Sequence, residues 1–476
     1  MELNHLNFGT QLLPAEPQRC LRHCAPVLKK QKISSAPRVA QSSVRSSAVA
    51  ERLSPKQGTS NTAPAAGTAE FGNTNDTILV VGAGIAGLAA AVALQKVGLP
   101  VTVMESSADV RKEGSAIALW TNAFRALDAL GVAQPLRDAH PLLTRVELCT
   151  QTGRTLKAFS LTECQGGPHE FRGIRRSELL DGLRKALPSE ILHFGSPISD
   201  VSPDVNGALV TLEDGRRMRF RAVLGTDGIR SRVAASLGMS TPNYAGYTAY
   251  RGVAKFAKKG TVPQDTCRMV WGNGVRAGMY PLSEDEAYWF TCFNASANAP
   301  GPSSPEEAKR EALSQVEGWA KGVDAAIRDT PAESISRSRI VDRWLAPGLA
   351  YGKGAVTLLG DAAHPMTPNL GQGGCTALED AVEVARALAA TRKQQEGVPQ
   401  TAAWRSVTTP AIAEALRGFE KQRSKRVFPL AARSWGMGAA LQLPFPPVTA
   451  VRNFVVSNMY NPAGFLDHAL YDCGSL

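Results

Sequence analysis

The sequence predicts an α/β fold: a Rossmann-like domain with an inserted β-sheet domain and C-terminal helices. Three observations carry this. A β-rich run, Ile78 to Val81, leads into Gly82-x-Gly84-x-x-Gly87 and an Ala/Leu-rich helix to about Val97, and the strand PVTVME then ends at Glu105. Two later strands, RFRAVLG and AVTLLG, end at Asp227-Gly228 and at Gly360-Asp361. Between these segments lie β-rich stretches with hairpin signals, over about 145–170 and 241–345.

The glycine loop is the first element. Gly82 permits a tight turn, Gly84 lets the backbone approach a pyrophosphate, and Gly87 lets helix and sheet pack closely. The helix N-terminus offers unpaired N–H groups and a positive dipole end to phosphates. Glu105, 23 residues after Gly82, is placed to accept hydrogen bonds from ribose hydroxyls. Gly82, Gly84, Ala86, Gly87 and Glu105 are therefore candidate dinucleotide-binding residues. Ile78 to Leu94 carries no charge and could pass for a membrane span, but the glycine spacing argues against one.

The later strands decide between NAD and FAD. Ligands of open α/β sheets collect at the carboxyl ends of strands, where Asp227, Gly228 and Asp361 fall. HPMTPNLGQGG follows Asp361, and an amphipathic helix starts near Cys375 and runs to about Ala390. Three contact segments spread over nearly 300 residues suit a long ligand, and no second strand-GxGxxG-helix unit follows.

These motifs together resemble the three fingerprints of single-component FAD-dependent monooxygenases. That group is the 4-hydroxybenzoate hydroxylase-like superfamily, with its salicylate hydroxylase-like and plant zeaxanthin epoxidase branch. RRSELLDGL, with Arg176, is similar to the family's FAD-contacting Arg-x-x-Leu helix, and FEKQRSKRV resembles its aromatic-Glu-x-x-Arg-x-x-Arg helix. One position departs: three residues after Ser231, where relatives often have arginine, stands Ala234. The resemblance implies a GR2-type FAD-binding domain in which Asp361 holds the ribityl chain. It implies also that the backbone of Asn369, Gly371, Gly373 and Gly374 faces the flavin's pyrimidine edge. Convergent N–H groups there would stabilise a reduced, anionic flavin. His364 is then a loop-holding residue rather than a general base. Cys375, at a helix N-terminus, is a candidate for a depressed thiol pKa.

The family chemistry needs no protein nucleophile. As the resemblance implies, NAD(P)H reduces the flavin transiently, molecular oxygen adds, and the flavin hydroperoxide hydroxylates a small-molecule substrate while the protein positions it and excludes water. Tyr250, Arg251, Trp271, Tyr280 and Trp289 are candidates to line the pocket, with Arg251 and Tyr280 the catalytic candidates. Arg251 would anchor an anionic substrate. The expected reaction is hydroxylation of an aromatic or phenolic compound. Epoxidation of a carotenoid or other isoprenoid is the alternative, less expected because the chain ends without the extra domain of plant zeaxanthin epoxidases. A non-catalytic escort on the same fold is a third reading.

The chain has 476 residues, 43% hydrophobic and 20% charged, an ordinary globular balance. Its net charge of +11 falls to +6, 46 basic against 40 acidic residues, once residues 1–50 are set aside. The basic balance therefore points to no nucleic acid. Residues 17–50 lack Asp and Glu and are rich in Ser, Ala and Arg, the composition of a plastid transit peptide, so a chloroplast location is expected. Residues 51–76 read as polar linker, 77–432 as the FAD-binding domain and 433–476 as a C-terminal cap, with weak membrane-surface contact as the alternative for that segment. The eight cysteines show no CxxC or metal spacing, so neither a structural metal nor a disulfide is expected.

Overall fold

The computed structural model describes residues 74–109, 116–392 and 400–476. The expected transit peptide and residues 51–73 of the linker, with Cys20 and Cys24, lie outside the described residues.

The nucleotide-binding half is built on a parallel sheet. Its order is Val356–Leu358, Ala222–Gly225, Ile78–Val81, Val101–Met104, Leu192–His193, and every neighbouring pair is parallel. Ile78–Val81 is the middle strand, and both its faces are covered. Ile78 and Val80 join the core beneath helix Ile85–Lys96, while Leu79 and Val81 pack with Ile198, Val210 and Phe220 from a three-stranded antiparallel sheet. An unbroken apolar run is what such a strand requires. Ala86 to Leu94 of the following helix are all buried, which accounts for their apolar character within a globular core. No described helix is long and apolar enough to cross a membrane.

The stretch RFRAVLG is not one strand. Arg217–Phe220 pairs with Gly207–Leu212 in the three-stranded sheet, and Ala222–Gly225 enters the parallel sheet. The chain turns at Arg221, whose N–H donates to the Thr77 carbonyl at 3.0 Å. A contiguous β-prone run gives no sign of such a change of sheet.

A seven-stranded sheet forms the other half. Its order is Ser336–Asp342, Asn243–Lys255, Glu286–Asn294, Val275–Pro281, Thr266–Trp271, Arg145–Thr150, Thr155–Ser160. All neighbours are antiparallel except Thr266–Trp271 with Arg145–Thr150. Strand alternation divides its side chains between two cores. Val146, Cys267, Tyr280 and Tyr288 join the core of the nucleotide-binding half, and Cys149, Tyr250, Val270, Met279 and Trp289 pack with helices Pro305–Ser314 and Val323–Arg328. A two-stranded ribbon, Ala116–Trp120 with Phe171–Arg175, also joins the first core.

Two long helices complete the frame. Gly373–Ala389 packs beside Ile85–Lys96, and Thr409–Leu441 packs on Gly373–Ala389 in turn. The domain boundary expected at 432/433 falls inside this second, 33-residue helix, because its apolar pattern continues through Leu441. Helix Pro446–Met459 then lies against the substrate-sheet hairpin: Thr449 Oγ1 donates to Asn273 Oδ1 at 2.7 Å and Arg452 to the Gly272 carbonyl at 3.3 Å. Phe445, Val451, Phe454 and Met459 remain largely exposed.

Candidate functional site

The glycine loop is closed on the protein side and open on the other. A Cβ on Gly87 would stand 1.8 Å from the Gly82 carbonyl oxygen and 2.6 Å from Thr226 Oγ1. Gly82 itself has φ +104° and faces the Thr226 carbonyl. Thr226 Oγ1 donates to the Val81 carbonyl at 2.7 Å, tying the two strand ends together. Around Gly84, by contrast, no atom lies within 4 Å of a Cβ position. That open face at a helix N-terminus is where a pyrophosphate fits.

Glu105 sits just past the end of Val101–Met104. One carboxylate oxygen accepts the Ala83 N–H at 2.8 Å and the other the Ser107 N–H at 2.9 Å. Burial pushes its pKa up, but these bonds outweigh burial and hold it below the ordinary value. Glu105 is therefore ionised and braces the loop while presenting its remaining lone pairs to hydroxyl donors.

Asp361 is exposed to the cleft at the end of Val356–Leu358. The protein walls around it raise its pKa by desolvation, and His364 and Arg176 oppose the rise. Arg176 and Asp361, 185 positions apart in the chain, are thus brought within electrostatic reach. No hydrogen bond to the Asp361 carboxylate occurs among the described residues, so it fits a polyhydroxyl chain. Ala86 stands where helix Ile85–Lys96 meets this turn: a Cβ on Gly360 would lie 3.1 Å from that of Ala86.

Asp227 is turned to its own loop. Its carboxylate accepts Ser231 Oγ at 2.5 Å and the Arg232 N–H at 2.6 Å, capping helix Arg232–Ser236. Burial still raises its pKa. Gly228 has φ +76° in the adjoining turn, and Ala234, at the position where relatives often carry arginine, is buried.

The loop after Asp361 leads into the N-terminus of Gly373–Ala389. Gly371 adopts φ +63° against the Trp120 indole, and a Cβ on Gly374 would lie 2.3 Å from Ile117 Cδ1. The loop is held from behind by a buried ionic cluster. Asp380 accepts from the Gly360 N–H at 2.8 Å, pairs with His364 Nε2 at 2.7 Å, and receives Arg423 Nε at 2.7 Å. Glu379 receives Arg423 at 2.6 Å, Arg426 at 3.0 Å and Asn122 Nδ2 at 2.6 Å. Asn122 also donates to Gln372 at 2.8 Å. His364 is therefore engaged in holding the loop. Glu379, Asp380, Asn122 and Gln372 were not anticipated, although LEDA stands one helical turn beyond the glycine-rich loop and its paired acids answer the two arginines of FEKQRSKRV.

Cys375 does not have a reactive environment. It is fully buried, and desolvation pushes its thiol up to about 12, which outweighs any help from the helix terminus. All six described cysteines are free and buried.

On the substrate sheet, Arg251, Tyr280 and Tyr288 share the face turned to the nucleotide-binding half. Arg251 donates to Ser338 Oγ at 2.5 Å. The Tyr280 and Tyr288 rings lie 4.8 Å apart, and aromatic contacts continue through Phe171 to Trp120, whose rings stack at 3.7 Å. Burial raises both phenols, Tyr288 to about 12, with Arg251 opposing the rise, so both are neutral at physiological pH. Tyr250 and Trp289 do not line this face. Alternation sends them to the opposite core, where Tyr250 donates to Glu311 and Trp289 Nε1 donates to Thr330 Oγ1 at 2.8 Å. Trp271 ends an inner strand on the same sheet face as Arg251, paired with Arg276, and the Arg452 guanidinium lies 5.4 Å from its ring centroid.

The family described as FAD binding domain matches residues 75–399. The chain belongs to this FAD-binding family. It is 35% identical, over 66% of its length and 80% of the relative's, to the aurachin C monooxygenase/isomerase of Stigmatella aurantiaca. It is 30% identical to Monooxygenase 2 of Arabidopsis thaliana, covering 84% of this chain and 98% of that one. It is 33% identical to the chloroplastic zeaxanthin epoxidase of Nicotiana plumbaginifolia over 74% of this chain, which spans 53% of the epoxidase. The fold is similar to that of Klebsiella pneumoniae HpxO complexed with FAD and uric acid, with a TM-score of 0.70 and 25% identity over 83% of this chain and 96% of that one. The chain is thus an FAD-dependent monooxygenase, an oxidoreductase, and its cofactor is FAD. The escort reading falls with that result.

Proposed function

We propose that the chain hydroxylates an aromatic or phenolic small molecule, drawing electrons from NAD(P)H and the oxygen atom from O2. The observation that carries this reading is the aromatic face formed by Tyr280 and Tyr288 with the Arg251 cation beside it. A flat substrate bearing an acidic group meets there both a stacking surface and a charged anchor.

FAD, when bound, supplies the electron transfer and oxygen activation. Gly82, Gly84 and Gly87 would take its pyrophosphate, Glu105 its ribose and Asp361 its ribityl hydroxyls, with Ala86, Arg176, Asp227 and Gly228 framing the same cleft. The N–H groups of Gly373 and Gly374 would face the pyrimidine edge, while the Gly371 N–H donates to the Pro368 carbonyl at 3.0 Å and holds the turn before them. Arg251 orients the substrate, and the buried aromatic wall keeps water from the reacting centre.

Anaerobic stopped-flow reduction by NADPH, with and without phenolic acids, tests the reading: one ligand class should accelerate flavin bleaching. Arg251→Ala is expected to raise the KM for an anionic substrate about tenfold, the loss of one charge-assisted contact, or to uncouple NADPH oxidation from hydroxylation. Unchanged KM and coupling would remove Arg251 from the site.

The relation to zeaxanthin epoxidase supports a second reading, epoxidation of a carotenoid or other isoprenoid. Accelerated reduction by carotenoids with none by phenols would select it. The acid-free, Ser/Arg-rich residues 17–50 and the chloroplastic relatives support a plastid location. A fluorescent protein carrying residues 1–76 is expected to enter chloroplasts, and retention in the cytosol would oppose this.

A further inference from the structure

A second arginine of the substrate sheet reaches the flavin-facing loop. Arg276 opposes Cys292, which opposes Ala249, and this row lies on the same sheet face as Arg251, Phe290 and Gly278 two residues along. Arg276 is 5% exposed. It donates to Asn369 Oδ1 and, at 3.2 Å, to Gln442 Oε1, and its guanidinium lies 5.6 Å from the Tyr247 ring centroid. No carboxylate pairs with it among the described residues.

Asn369 is the other half of the joint. Its amide nitrogen lies 2.6 Å from the Ser434 carbonyl, 3.0 Å from Tyr247 Oη and 3.1 Å from Thr367 Oγ1. It occupies the turn Pro368–Leu370, directly before the left-handed Gly371. Gly438 of the long helix leaves the necessary room, since a Cβ there would stand 2.3 Å from Asn369 Nδ2. Substrate sheet, long helix and flavin-facing loop therefore meet at one amide, and the group that reaches it from the sheet is a guanidinium.

We propose that Arg276 is a positioning residue for FAD: acting through Asn369, it fixes the Gly371–Gly374 backbone and adds positive charge to the side of the cleft where the reduced cofactor is anionic. The inference rests on FAD binding and is independent of which substrate is oxidised. A cation held against such a turn favours the reduced, charged state over the oxidised, neutral one.

The test is the midpoint potential of bound FAD in the full-length holoprotein, measured by dye equilibration under anaerobic conditions. Arg276→Met is expected to disfavour reduction about tenfold, roughly 30 mV for a two-electron couple, and Arg276→Lys to restore most of that shift. Gln442→Glu would neutralise the same charge with Arg276 in place, and should move the potential in the same direction even where Arg276→Met fails to hold FAD. A potential unchanged in Gln442→Glu and in FAD-loaded Arg276→Met would overturn the proposal. So would an equal shift in Arg276→Met and Arg276→Lys, since loosening of the loop alone gives that result.

Discussion

Gly87→Ala is expected to yield protein without FAD and destabilised by about 3 kcal/mol or more, the upper range for overpacking a rigid site. The added methyl would stand 1.8 Å from a backbone carbonyl oxygen and 2.6 Å from Thr226 Oγ1. Neither can yield alone, because Thr226 Oγ1 also bonds the Val81 carbonyl. Relief must come from separating helix Ile85–Lys96 from the parallel sheet, which moves the phosphate-facing N–H groups with it. Gly84→Ala is the informative contrast: its methyl meets no protein atom within 4 Å and its φ of −79° suits alanine. That variant should keep the fold and lose FAD by filling the ligand's space. Flavin absorbance per polypeptide and the urea midpoint of each variant check both statements. A Gly87→Ala protein with full FAD content would show that this approach is not what shapes the site.

Arg423→Met is expected to cost about 3–5 kcal/mol, the usual loss when one partner of a buried ion pair is removed. Arg423, Glu379 and Asp380 are all fully buried, so the variant leaves carboxylates without their main cation. Burial alone would raise Asp380, but His364 and Arg423 outweigh it and hold the carboxyl down to about 2, below the ordinary 3.8. A depressed carboxylate pKa gives stability that is present above the unfolded value and lost as pH falls towards the folded one. Wild-type stability should therefore decline between about pH 4 and 2, and Arg423→Met should weaken that dependence. Urea denaturation across this range, followed by flavin release, measures both effects. A loss below about 1 kcal/mol at pH 7, the scale of a surface ion pair, would mean the cluster is not what secures the loop.

What was legible in the sequence follows from what each motif requires. Gly82, Gly84, Gly87 and Glu105 could be read because a phosphate-facing turn tolerates few residue types in a short span, so local order carries the information. Helix Gly373–Ala389 was readable for the same reason, through its glycine-rich entry and apolar period. The ionic cluster was harder. Asn122, Gln372, Glu379, Asp380 and Arg423 come from three distant segments, and each alone looks like a polar residue on a helix or loop. Tyr250 and Trp289 were misjudged because aromatic content marks a buried strand without saying which face is buried against what. Only the register, with Arg251 opposite Phe290 and Tyr250 opposite Thr291, separates the two faces. The division of RFRAVLG between two sheets had no signal in a uniformly β-prone stretch.

The order of the parallel sheet constrains how the chain is made. Ile78–Val81 is synthesised first yet stands in the middle, flanked on one side by Val101–Met104 and on the other by Ala222–Gly225, which in turn waits for Val356–Leu358. Nascent chain emerging from the ribosome can form the first strand, helix and second strand, but one edge of that unit stays unpaired until Ala222–Gly225 has been produced, and that strand's own outer edge stays open until most of the substrate sheet has followed. Distant pairings of this kind fold slowly and leave apolar strands open to wrong partners. The protein's yield in cells should depend on chaperone supply more than its final stability suggests, and FAD, gripping strand ends from early, middle and late parts of the chain, would act as the last fastening of the sheet.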